Sequence, residues 1–95
     1  MNDNQSRPVY ILIGRVWREK DSEAEGFHVL LTATDDDSAV RSTLEALAGE
    51  GYEHAELDRI GELDGPPGEE PHLSAWQGAL EGDVSIVTFE DPFGD

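Results

Sequence analysis

Three imidazoles, His28, His54 and His72, are the side chains best suited to metal ligation or proton transfer in a 95-residue chain that has no cysteine. No pair of them has the H-x-x-x-H or H-E-x-x-H spacing that sets two ligands on one helix face. A metal site joining two of them with Glu56 or Glu70 therefore has no support in the spacing, and surface or half-buried histidines are expected. Asp35, Asp36 and Asp37 offer adjacent carboxylates for acid–base work. The run continues with Ala39 and not as a calcium-binding loop. Ser38, Ser42, Ser74 and Ser85 lie in no G-x-S-x-G turn. Gly49-Glu50-Gly51 follows a helical pattern where a phosphate cradle would precede one, and Gly65-Pro66-Pro67-Gly68 has no lysine and is ringed by acids. Trp17 and Trp76 read as core or interface residues. No catalytic residue, metal or cofactor is expected, and the chain is expected not to be an enzyme.

The charge narrows the partners. Six Lys and Arg face 22 Asp and Glu, a formal charge of −16. Such a surface repels phosphate, which excludes direct nucleic-acid binding driven by counterion release and disfavours anionic membranes. Basic proteins, polyamines and divalent cations are attracted instead. Six carboxylates, Glu56, Asp58, Glu62, Asp64, Glu69 and Glu70, bracket the Pro/Gly segment. Spaced like phosphates, they would make an acidic mimic of nucleic acid that inhibits a basic protein; otherwise they are a solvated loop. Lys20 is the single lysine, beside five arginines, as in a salt-adapted surface whose self-repulsion added salt would screen. No apolar run approaches the roughly 18 residues needed to span a bilayer, and Met1–Ser6 is polar, so a cytoplasmic chain is the simplest expectation.

The elements that must carry these residues follow from periodicity. A flexible arm is expected over 1–7, a single domain over 8–89 and an acidic tail over 90–95. Val9–Trp17 is β-branched and aromatic, with apolar residues at both parities up to Ile13, the pattern of a strand covered on two faces; Gly14 marks a bulge. In a second strand, Phe27–Ala33, the residues Phe27, Val29, Leu31 and Ala33 face the core while His28 and Thr32 point away. Thr34 and Asp37 have capping-box spacing, and Val40, Leu44 and Leu47 recur on one face of a helix over about 35–48 that Gly49 or Gly51 ends. Tyr52–Leu57 alternates as a strand, with a bulge or a change of face near Asp58 before Leu63. Residues 64–71 form a loop. A short helix starting near Pro71 or Ser74 presents Leu73, Trp76 and Leu80, and Val84–Phe89 is the last strand.

The order β-β-α-β-α-β predicts an α+β two-layer sandwich: a four-stranded mixed sheet with right-handed parallel crossovers and two helices on one face. It is similar to ferredoxin-type sandwiches in general architecture only, because the element order differs. On this reading the helix-free face carries Tyr10, Leu12, Trp17, His28 and Leu30. Contiguous apolar patches of several hundred Å² are seldom left bare. The expected function is that of a small non-enzymatic regulatory or adaptor domain that binds a protein partner, or a second copy as a homodimer, through this open face. The acidic mimic is the second expectation. A small-molecule binder or enzyme, with a pocket between the second helix and loop 65–71, is the third.

Overall fold

Both parities of the opening run are apolar because it lies inside a sheet with a helix on each side. The computed structural model describes residues 8–19 and 21–90. The arm expected over 1–7 and all of the expected tail beyond Glu90 lie outside the described residues. The order is β1 (Val9–Trp17), β2 (Glu25–Thr32), α1 (Asp36–Gly49), β3 (His54–Leu63), α2 (His72–Leu80) and β4 (Ser85–Glu90). This is an α+β fold, its four strands forming one open sheet in the order β3-β1-β2-β4.

Every neighbouring pair is antiparallel, which corrects the expectation of a mixed sheet. β2 and β3 do run in the same direction, but β1 lies between them. The two strands with the most apolar sequence take the central positions, and the more polar β3 and β4 become the edges. The bulge near Asp58 is present: Ile13 pairs with Arg59 and Gly14 with Leu57, leaving Asp58 as the extra residue. Gly14 is needed there because a Cβ would meet the Glu56 carbonyl oxygen and the Phe27 ring.

The helices cover opposite faces, a second correction. Tyr10, Leu12, Val16, Phe27, Val29 and Leu31 pack with Ala39 and Leu47 of α1, whereas Val9 and Leu30 pack with Ala75 and Ala79 of α2. Val9 and Tyr10 are adjacent in a strand, as are Leu30 and Leu31, so they point to opposite sides. The arrangement is helix, sheet, helix.

α1 begins at Asp35, not Thr34: the Asp35 carboxylate accepts from the Ser38 backbone N–H at 2.8 Å. Asp36 and Asp37 then sit in the first turn, where the helix dipole favours negative charge. Gly51, at φ 97°, lies just past the helix end. The buried face of α1 is Ala39, Thr43 and Leu47, with Leu44 exposed. In α2, Ala75 and Ala79 are buried while Leu80 is exposed, so small residues bring this helix close to the sheet. Arg18 stacks over Tyr52 at 4.5 Å, and the Tyr52 hydroxyl donates to Glu25, joining the end of β1, the start of β2 and the turn after α1. No helix among the described residues is long and apolar enough to cross a membrane.

Candidate functional site

Antiparallel pairing lays the side chains of the α2 face in rows across the sheet. The row Leu63, Val9 and Thr32 and the row Gly61, Ile11, Leu30 and Ser85 lie at one end. Here α2 packs over Val9, Leu30, Ile11, Leu63 and Val87. Next comes Arg59, Ile13, His28 and Val87, then Glu56, Arg15, Gly26 and Phe89, and last His54 and Trp17. Neither large apolar residue of these last two rows, Phe89 or Trp17, belongs to the cluster packed with α2. One helix of nine residues is about 13 Å long at 1.5 Å per residue, too short to cover the whole face.

At the end away from α2 a hollow of about 600 Å³ is lined by Trp17, Glu53, His54 and Glu56. The Trp17 and His54 rings are 5.0 Å apart and tilted by 52°. The Glu53 backbone N–H donates to the Trp17 carbonyl at 3.0 Å, fixing the entry of β3 beside the end of β1. Arg15 donates to the Glu56 carboxylate at 3.0 Å, lies 3.9 Å from Asp58, and places its guanidinium carbon 5.9 Å from the Trp17 ring centre. Phe89 lies over Gly26, where a Cβ would be 2.6 Å from the ring, and remains 38% exposed. Aromatic surface, a guanidinium and carboxylates thus meet on one stretch of sheet that is bare among the described residues.

A second constellation marks the edge of the covered region. Nδ1 of His28 and Nε2 of His72 are 2.6 Å apart, so one ring holds a proton that the other accepts. The His28 ring also meets Phe89 edge-on at 4.9 Å. Burial, and then the neighbouring imidazole of His72, lower the His28 pKa from its ordinary value. The pair ties the first residue of α2 to β2. Among the described residues no group of three or more His, Cys, Asp or Glu is placed to hold a metal ion. Ser74 donates its hydroxyl to Glu70, which also accepts the Ser74 backbone N–H; this is a cap on the start of α2.

The residues expected on an open face are divided. Tyr10 and Leu12 are buried under α1, and Leu30 is fully buried under α2, so these three belong to the core and not to an interface. Trp17 and His28 are half-buried on the α2 face. The acidic group is divided as well. Glu56 shares a row with Arg15, whereas Glu62 pairs with Tyr10 and so faces the α1 side. Glu70 is engaged in capping, and Asp64 and Glu69 are exposed in the connection to α2. The periodicity of single segments did not single out Arg15, Glu53 and His54 as partners of Trp17. The β1–β3 register that joins them is set by the Asp58 bulge, which the sequence did signal. The contact between His28 and His72, 44 residues apart, has no local signal. No family model, curated protein or solved structure matches this chain.

Proposed function

We propose that this chain is a small non-enzymatic adaptor or regulatory domain that binds another protein through the end of the α2 face not covered by α2. The observation that carries the reading is the pair of rows holding Trp17, His54, Arg15, Glu56 and Phe89, whose two aromatic residues, Trp17 and Phe89, lie outside the apolar cluster packed with α2. A half-buried tryptophan and an arginine side by side are the residue types that dominate binding energy at interfaces. Support for a non-catalytic role comes from the polar groups that meet elsewhere: the Ser74–Glu70 contact and the His28–His72 contact each join α2 to its surroundings. A second copy is disfavoured as the occupant, because two chains of formal charge −16 repel one another.

The test is affinity capture from the source cell with the wild-type chain and with Trp17→Glu, beside the mass of each in solution. A discrete partner held by the wild type and lost by Trp17→Glu, with the isolated chain monomeric, is the expected result. A monomer that retains the same proteins whether or not Trp17 is changed overturns the reading.

A further inference from the structure

We infer that the hollow at Trp17 receives a cationic side chain, an arginine or a lysine, from the partner protein. This deepens the docking role proposed above and rests on it. Two of the four residues lining the hollow are glutamates, Glu53 and Glu56, and a third is the Trp17 ring. Asp58 stands beside them, near Arg15. Arg15, together with Arg59 one row nearer α2, makes two guanidiniums on this part of the sheet against three carboxylates. The chain as a whole carries −16.

The kind of contact is already formed within the chain. The Arg15 guanidinium carbon lies 5.9 Å from the Trp17 ring centre and the group pairs with Glu56 at 3.0 Å, so the tryptophan and the carboxylate stand within reach of one cation. Arg18, by contrast, stacks on Tyr52 and reaches Glu25 on the α1 side. A partner's cation entering the hollow meets the tryptophan ring and the Glu53 carboxylate, and shares Glu56 with Arg15. Exposed cation–π contacts and exposed ion pairs are each weak taken singly. One side chain thus supplies specificity inside a larger contact, not a tight site alone.

The probes are a short arginine-containing peptide and the same peptide with citrulline, the neutral isostere, titrated against the intact chain. The indole N–H signals of Trp17 and Trp76 are followed by NMR, with Trp76 as the internal control. Saturable movement of the Trp17 signal by the arginine peptide is expected, several-fold weaker with citrulline. Followed instead by the backbone amide signals of Glu53 and His54, Trp17→Leu should weaken arginine-peptide binding by about 2–5-fold, the loss of one exposed cation–π contact. Glu53→Gln and Glu56→Gln should each weaken it by about 2–3-fold, and added salt should weaken it further. Equal response to the two peptides at Trp17 overturns the cation assignment and leaves protein association through this face intact. Movement of both indole signals alike, insensitive to the glutamine substitutions, shows general attraction to a polyanion and overturns the assignment. Absence of any Trp17 response also overturns it, while the capture comparison with Trp17→Glu decides the docking role separately.

Discussion

At the scale of single residues, the contacts with most leverage are those that hold the bare face in its geometry. His28 loses affinity for a proton on folding, through burial and then through His72. The unfolded chain therefore binds more protons than the folded one once pH falls below the ordinary histidine value of about 6.5. The stabilisation is complete above that value and is lost as pH falls through the unfolded and then the lower folded pKa. In thermal melts from neutral to mildly acidic pH, the wild type should lose stability relative to His28→Asn across this window. Gly14 controls the register that brings Trp17 to His54. Gly14→Ala forces a methyl into the Glu56 carbonyl and the Phe27 ring and should cost about 1–3 kcal/mol in denaturant unfolding, as overpacking does. Phe27, Val29 and Leu31 were legible as core because alternation is a local property, and the Gly14 and Asp58 irregularities were legible because each breaks a pattern. Tyr10, Leu12 and Leu30 were misassigned to an open surface. An apolar residue reads the same beneath a helix as on a docking face.

At the scale of elements, the sequence located all six, but not which side each helix takes. Helix placement depends on which residues of α1 and α2 meet the sheet, and small residues at the contact defeat a search for large apolar ones. α1 turns Thr43 inward where the spacing of Val40, Leu44 and Leu47 favours Leu44, and α2 docks through Ala75 and Ala79. Gly78, unfavourable to a helix by propensity, sits where a Cβ would come within 2.8 Å of the Ser85 hydroxyl on β4. Its small size thus serves close approach. The Thr43 hydroxyl is buried without a hydrogen-bond partner among the described residues. Thr43→Val keeps the shape and removes the unsatisfied oxygen, so it should raise stability by about 1 kcal/mol. Chemical denaturation of the two proteins measures this directly; a loss of stability would mean that the hydroxyl is satisfied in solution.

At the scale of the whole molecule, two helices of unequal reach on opposite faces leave one end of one face uncovered among the described residues, and the proposed docking role makes the net charge a selector for a basic partner there. The charge was readable from composition, whereas the bare end emerges only from topology, register and the short length of α2. Repulsion within a chain of −16 weakens the folded state. Raising salt from about 0.01 M, where the Debye length is about 30 Å, to about 1 M, where it is about 3 Å, should therefore raise the melting temperature while weakening attachment to a basic partner. The same screening acts on both, with opposite consequences for folding and for binding. The most direct measurement is a set of binding isotherms for the captured partner against the wild type, Trp17→Glu and Leu44→Glu. Leu44 is also an exposed apolar residue, at 42%, but lies on α1. Docking through the bare end requires roughly tenfold or greater weakening by Trp17→Glu, the loss typical of a central interface aromatic, with Leu44→Glu within about twofold of the wild type, as for a residue outside the contact. Equal affinities for the wild type and Trp17→Glu, or a loss confined to Leu44→Glu, would contradict it.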